Sequence, residues 1–463
     1  MKVEFIDRSG ANRLIVIFAG WAMDGHPFAG LHRAGYDIAV VWDYTTAHLD
    51  WSFADPYGEI CIVAWSLGVS VASASTGITA PVEHKITLRL AVNGTTTPLD
   101  DALGIPPALF EATAANLTEA SLQKFYRRTA GRALTADFMA RRPQRSLGSV
   151  ASELEVFLRT GIYAAASNEG WSRAVVGTSD AVFPPSNQLA AWQGVPTEQI
   201  DSGHLPDFET LLAKYIIDKD LTASRFAAGA ASYDANAAVQ RAVVDGLLEL
   251  AFSTGAFAEP GRILEVGCGT GLLSHRLARL PKADWDLEMW DLAPSDDLAN
   301  LGTLRRGDAE TLVRTLEPHS LALVMSSSTI QWFNSPQRFL ANCARALRPG
   351  GMIVASTFGP DNLKEIKSSG GVSLPAMGVK EWLQADIAGL RTVKVLEEHR
   401  TLRFADPLDI FRHLKSTGVN SLAGGSPQQL RASLRNYTPD PETGLYTLTY
   451  HPVYLAFRAE NVQ

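Results

Sequence analysis

Two α/β domains in tandem are what the sequence predicts, each a mostly parallel sheet covered by helices on both faces. Three observations carry this. At 463 residues the chain exceeds one ordinary domain. Continuous apolar runs alternate with helical patterns in both halves, as expected of strands buried on both faces. Finally, each half contains one strand-to-helix turn built for chemistry, the first around Ser66 and the second at 263–271.

The composition narrows the class. At 46% hydrophobic, 19% charged and net −8, the chain reads as globular, and its charge argues against bulk nucleic-acid binding. No run of 18 uninterrupted apolar residues is present, so no membrane span is expected. Met1-Lys2-Val3-Glu4 opens a strand rather than a signal peptide. Cys61, Cys268 and Cys343 are odd in number, widely spaced and in no metal-ligand pattern. The expectation is a cytoplasmic protein without a resident metal.

In the first half, residues 14–18, 37–41 and 60–63 read as buried strands. The third runs into Ala64-Trp65-Ser66-Leu67-Gly68 and then small residues up to Ala74. That is the pattern of a nucleophile elbow, a strained turn that presents a serine hydroxyl, with Ala64 where the usual pattern has glycine. A serine needs a base and the base an acid, in the order Ser, Asp, His for an α/β-hydrolase fold. A strand at 174–177 ends in Thr178-Ser179-Asp180, and one at 198–200 runs into Asp201-Ser202-Gly203-His204. Ser66, Asp180 and His204 are the candidate catalytic set. Asp201 and Asp207 compete for the acid role but lie close in sequence to the histidine. The oxyanion needs two backbone N–H groups, for which Leu67 and Trp21 are the candidates.

Between Asn93-Gly94-Thr95 and Ala174 the pattern is helical without a strand, where this fold carries its lid, about 99–170. Residues 124–145 hold Lys124, Arg127, Arg128, Arg132, Arg141, Arg142 and Arg145 against Asp137 alone. In a chain of net −8, this is either a solvated basic face or a docking surface for an acidic partner. The stretches Phe18-Ala-Gly-Trp-Ala-Met-Asp, Ala-Trp-Ser-Leu-Gly-Val, Ala-Val-Asn-Gly-Thr-Thr-Thr-Pro and Lys124-Phe125-Tyr126-Arg127-Arg128 resemble the BioG family over roughly residues 1–215. The resemblance implies a pimeloyl-[acyl-carrier protein] methyl ester esterase of biotin synthesis. Phe125, Arg127, Arg128, Arg132, Arg141 and Arg142 then become candidates for meeting the carrier protein.

The second half turns on ILEVGCGTG at 263–271. Ile263, Leu264 and Val266 feed into Gly267, Gly269 and Gly271, and Leu272, Leu273 and Leu277 follow at helical spacing. The glycines are not spaced as a dinucleotide fingerprint requires. With Glu265 ahead of them they resemble the first motif of S-adenosylmethionine-dependent methyltransferases. Asp291, ending the next strand, suits the two hydroxyls of a ribose. Asp308, with Ala309 beside it, suits the adenine amine. Strands follow at 320–327 and 352–356, the loop 328–332 faces the methyl donor, and 391–404 with 446–457 suit an antiparallel edge. Asp218-Lys219-Asp220 is the expected junction, giving domains 1–218 and 219–463, and a long helix is expected over 226–252.

Phe226-Ala-Ala-Gly-Ala-Ala-Ser-Tyr-Asp-Ala-Asn, Ile330-Gln-Trp and Ser356-Thr-Phe-Gly-Pro-Asp-Asn-Leu-Lys-Glu resemble BioC, the malonyl-[acyl-carrier protein] O-methyltransferase, from about residue 222 onward. The resemblance implies a class I methyltransferase fold, S-adenosylmethionine as cofactor and an active-site role for Tyr233. For holding the malonyl carboxylate, Tyr233, Arg400 and Arg403 stay open. The pairing is chemically coherent. A carboxylate charged at neutral pH is costly to move into an apolar tunnel, so methylation masks it and hydrolysis later unmasks it. Two other readings keep the motifs: a fusion acting on a free small carboxylic acid and its ester, or a regulatory protein with one inactive half.

Overall fold

The structure is a computed structural model that describes residues 1–161, 163, 167–281, 285–370, 374–417 and 427–460, without the side chains of 132, 133, 231, 232, 427–430 and 432. It divides into two compact units, Met1–Ile216 and Ile217–Gln463.

The first unit is built on strands β1 (Lys2–Asp7), β2 (Arg13–Phe18), β3 (Asp37–Trp42), β4 (Glu59–Trp65), β5 (Ile86–Val92), β6 (Arg173–Gly177) and β7 (Thr197–Ile200). They lie in the order β1-β3-β2-β4-β5-β6-β7, all parallel except β1, which runs antiparallel to β3 at the edge. Every residue of β4 is buried, which is why the strand reads as a continuous apolar run rather than an alternation. The register pairs Phe18 with Ala64, so the loop after β2 emerges beside the turn at Ser66. Three helices, Pro107–Ala115, Glu119–Ala140 and Leu147–Arg159, lie in the stretch between β5 and β6 where a lid is expected. The second begins with a Thr118–Ser121 capping box and breaks at Gly131, whose φ is +64°.

In the second unit the strands are β8 (Gly261–Val266), β9 (Trp285–Asp291), β10 (Thr303–Arg306), β11 (Leu321–Ser326), β12 (Leu347–Phe358), β13 (Leu390–Glu397), β14 (Arg400–Phe404), β15 (Tyr446–Tyr450) and β16 (Pro452–Ala459). The main sheet runs β10-β9-β8-β11-β12-β16-β13, with β16 antiparallel to both its neighbours; β14 and β15 form a separate antiparallel pair. Strand order reverses at β8, between β9 and β11, and in open α/β sheets ligands bind at such a switch point. Both units are therefore α/β. Among the described residues, no helix is long and apolar enough to cross a membrane.

Three expectations are corrected here: the helix after the glycine motif, the single helix over 226–252 and the single strand over 391–404. The helix after the glycine motif is a single turn, Ser274–Leu277, because positive φ at Gly267, Gly269 and Gly271 keeps the chain irregular that far. The helix expected over 226–252 is two helices, Lys219–Asn236 and Ala238–Ser253, parted at Ala237. Beside the expected junction, Asp218 caps the first of these helices, and the Lys219 ammonium is buried against Glu310 at 2.7 Å. The edge expected as one strand over 391–404 splits at 398–399, so that β13 and β14 belong to different sheets.

Candidate active sites

Ser66 sits in the turn after β4 with φ +60°, left-handed for a residue with a Cβ. The surroundings hold that strain in place. The Ser66 N–H donates to the Val92 carbonyl, and Gly94 presses on the turn so closely that a Cβ there would lie 2.1 Å from the Ser66 oxygen. Only glycine fits.

His204 Nε2 lies 2.9 Å from Ser66 Oγ, and His204 Nδ1 is 3.0 Å from both oxygens of Asp180. The three residues are buried, with 4%, 2% and 7% exposure for Ser66, His204 and Asp180. Asp180 accepts three further hydrogen bonds, from the N–H groups of Val182 and Phe183 and from Gln188 Nε2. The imidazole lies between the rings of Trp65 and Phe183. Its backbone is held too, because Asn93 Nδ2 donates to the Gly203 and His204 carbonyls and Trp65 Nε1 donates to the latter. Asn93 Oδ1 accepts from the Gly177 N–H, tying the ends of β5 and β6 to the histidine loop. Sequence reading missed Asn93 and Gln188. Asn93 acts across a long sequence separation, with only the Asn-Gly step after a strand to hint at it, and Gln188 reaches Asp180 from the helix that follows, with no motif to mark it. Among the described residues neither Asp201 nor Asp207 pairs with the His204 ring; Asp207 instead caps the helix Phe208–Tyr215.

Leu67 directly follows the serine, and Gly20, ahead of Trp21, comes so close that a Cβ on it would lie 3.2 Å from Ser66 Cβ; no acceptor for the Trp21 or Leu67 N–H is found among the described residues. The Trp21 indole is buried and donates to the Val150 carbonyl at 3.0 Å. Phe125 packs edge-on against it, with centroids 4.8 Å apart. Arg127, Arg128, Arg141 and Arg142 are exposed, and Arg141 also donates to the Ala29 carbonyl. The side chain of Arg132 lies outside the described residues. Arg145 leaves the basic patch altogether. Its side chain is 2% exposed and paired at 2.7 Å with Glu153, a partner one helical segment away that a charge count cannot see.

At the switch point of the second sheet, a cavity of about 370 Å³ is lined by all the predicted nucleotide-site residues apart from Gly271. Gly267 has φ +79°, and a Cβ there would collide with Thr329 Oγ1, so the close approach of the two loops requires glycine. Asp291 serves this loop before any ligand arrives, with Oδ2 accepting from Gly269 N–H at 2.9 Å and Oδ1 from Ala293 N–H at 2.7 Å. Burial raises its carboxyl above the ordinary value. Glu265 is buried with Oε2 unpartnered, and burial pushes its carboxyl up to about 8. Asp308 caps Ala309–Leu312 and contacts Lys219 through Oδ1, leaving Oδ2 buried and unpartnered. Of the three groups considered for the substrate carboxylate, Tyr233 lines the cavity. Arg400 is instead engaged by both oxygens of Glu398. Burial raises the Tyr233 phenol above its ordinary value, so at neutral pH it is a donor rather than a base.

Comparison with known proteins agrees with this division. The family model described as pimeloyl-ACP methyl esterase BioG matches residues 1–212, and a methyltransferase-domain model matches residues 264–355. A malonyl-[acyl-carrier protein] O-methyltransferase of Bacteroides fragilis is 34% identical over 458 residues, covering 95% of this chain and 92% of its own. One from Bacteroides thetaiotaomicron is 31% identical over 266 residues, 53% of this chain and all of the relative. The crystal structure of BioG from Haemophilus influenzae is 32% identical, covering 44% of this chain and 94% of its own with a TM-score of 0.39. The chain belongs to the malonyl-[acyl-carrier protein] O-methyltransferase family, in the form that carries a BioG domain ahead of the methyltransferase: a BioG–BioC fusion.

Proposed function

We propose that this chain is a bifunctional enzyme of biotin synthesis. One half methylates the free carboxyl of malonyl-[acyl-carrier protein] using S-adenosylmethionine. The other hydrolyses pimeloyl-[acyl-carrier protein] methyl ester to the free acid and methanol. The observation that carries the reading is the coexistence, in one chain, of the Ser66–His204–Asp180 hydrogen-bond relay and a glycine-walled cavity ending on Asp291 and Asp308.

In the hydrolytic half, Ser66 Oγ attacks the ester carbonyl while His204 Nε2 takes its proton and returns it to the departing methoxide. Asp180 keeps the imidazole proton on Nδ1 and stabilises the imidazolium. The N–H groups of Trp21 and Leu67 receive the oxyanion, and water then frees the acyl group by the same relay.

The second cavity fits S-adenosylmethionine by its donor set. Asp291 retains lone pairs for ribose hydroxyls, the unpartnered Asp308 Oδ2 can accept from the adenine amine, and Glu265 offers an anion to the cationic methionine end. When bound, the cofactor supplies an electrophilic methyl group. The protein's own task is to align the substrate carboxylate and exclude water, since an ionised carboxylate needs no general base. Tyr233 is the hydroxyl assigned to hold that carboxylate. The exposed lid arginines 127, 128, 141 and 142 meet the acidic carrier protein.

The test is S-adenosylhomocysteine release with malonyl-carrier protein and with free malonate. Turnover restricted to the carrier-bound substrate supports the proposal. Equal turnover of free malonate would favour the small-acid reading.

A further inference from the structure

The loop that carries Trp21 owes its shape to the lid rather than to the sheet. Ala22 has φ +67°, an unfavourable conformation for alanine that must be imposed from outside. Apart from the turn's own bond from the Met23 N–H to the Gly20 carbonyl and the Phe125 ring against Trp21, the polar contacts to the Ala22 backbone, the Trp21 indole and the Met23 carbonyl among the described residues come from residues 126–153. Ala22 N–H donates to Glu153 Oε2 at 3.2 Å, and the Ala22 carbonyl accepts from Tyr126 Oη at 3.2 Å. Trp21 Nε1 donates to the Val150 carbonyl, Arg145 Nη1 reaches the Met23 carbonyl at 3.4 Å, and the Gln144 N–H donates to Asp24 Oδ2 at 2.7 Å.

Glu153 is the hub of this arrangement. Its side chain is fully buried; Oε1 accepts from Tyr44 N–H at 2.8 Å, and Oε2 accepts from both Ala22 N–H and Arg145. A buried carboxylate is expensive unless paired and hydrogen-bonded, and a lid needing only to cover an acyl chain would be served by an apolar side chain here. Nothing in the hydrolytic mechanism uses this carboxylate directly.

We infer that Glu153, seated by Arg145, is a positioning residue that fixes the Trp21–Ala22 backbone as one wall of the oxyanion site, so the lid is a working part of the esterase rather than a cover. The inference rests on the esterase reading above. It has a specific chemical consequence. Glu153→Gln sets an amide NH₂ against one of two backbone N–H donors and removes the negative charge that pairs Arg145, so the loop loses part of its template while Ser66, His204 and Asp180 keep theirs.

The experiment measures kcat and KM for a small soluble methyl ester, together with the affinity of a trifluoromethyl ketone that forms a hemiketal oxyanion on Ser66. For Glu153→Gln, kcat is expected to fall by about 10–100-fold, somewhat less than loss of an oxyanion donor itself, with KM nearly unchanged. Ketone affinity is expected to fall in parallel. Tyr126→Phe removes only the hydroxyl that holds Ala22, and it should show a smaller loss of the same kind in a chain that melts as the wild type does. This second variant decides the matter if Glu153→Gln does not fold. Wild-type kcat in a folded Glu153→Gln variant, or a kcat loss without weaker ketone binding, would overturn the inference. Hydrolysis by Ser66→Ala at the wild-type rate would instead overturn the esterase reading itself.

Discussion

The two sites differ in what they leave unsatisfied. Around Ser66, every polar atom of the three central side chains already has a partner: Ser66 Oγ, both nitrogens of His204 and both oxygens of Asp180. The cavity of the second unit is the reverse. Glu265 Oε2, Asp308 Oδ2, Gln240 Oε1 and Ser328 Oγ line it or border it, buried and unpartnered. A site that reacts through its own side chains can be completed within the protein, which preorganises it. A site whose chemistry arrives with a ligand must keep acceptors open, at a cost to the empty protein that binding relieves.

Removing a member of the completed site should have the largest effect. On the proposed function, Ser66→Ala is expected to lower ester hydrolysis by about four to six orders of magnitude while methyl transfer is unchanged. Parallel assays of methanol and S-adenosylhomocysteine release check this. Loss of methyl transfer in a folded variant would show that the two sites are not separate.

Asp291→Ala probes the open site. It removes the brace on Gly269 and the ribose contacts proposed for it, worth about 1.5–3 kcal/mol for hydrogen bonds to a charged group. S-adenosylmethionine affinity by calorimetry should therefore fall by at least ~10-fold; unchanged affinity would remove Asp291 from the site.

Glu265 gives that site a pH signature. Its carboxyl is pushed up to about 8 in the empty protein, so it is protonated at pH 6–7. A cation binding beside it favours the carboxylate and expels the proton. Affinity should accordingly rise with pH, by at most about tenfold per unit, and level off above about 8. Calorimetry in buffers of different ionisation enthalpy measures the released proton. A flat profile, or one that persists in Glu265→Gln, would place the ammonium elsewhere.

The smallest effect belongs to the lid surface. Arg127→Glu with Arg128→Glu should raise KM several-fold for carrier-bound ester and little for a soluble ester, because exposed charges act mainly on encounter over about 8–10 Å in physiological salt. Equal losses on both substrates would mean that the arginines support the lid's fold.

The legible parts were those with local signals. The elbow at Ser66 and the glycine turn at 267–271 announce themselves within a few residues, because strained turns admit few residue types. The pairing of Asp180 with His204 beside Ser66 followed from strand order. What stayed hidden depends on which partners folding brings together. Lys219 reads as a surface lysine until Glu310 is found beside it, and Arg145 reads as part of a basic face until Glu153 is. The break at Ala237 carries no glycine or proline to mark it. The separation of β13 from β14 shows only once β15 and β16 have taken different partners.

The central claim is that one chain both masks and unmasks a carrier-bound carboxyl. Mass spectrometry of the carrier protein tests it most directly. Purified wild-type chain with S-adenosylmethionine is expected to add one methyl mass to malonyl-carrier protein, and without cofactor to remove one from pimeloyl-carrier protein methyl ester. Ser66→Ala should retain only the gain and Asp291→Ala only the loss. Gain and loss both absent from the wild type, or both abolished by either substitution in folded protein, would contradict the account.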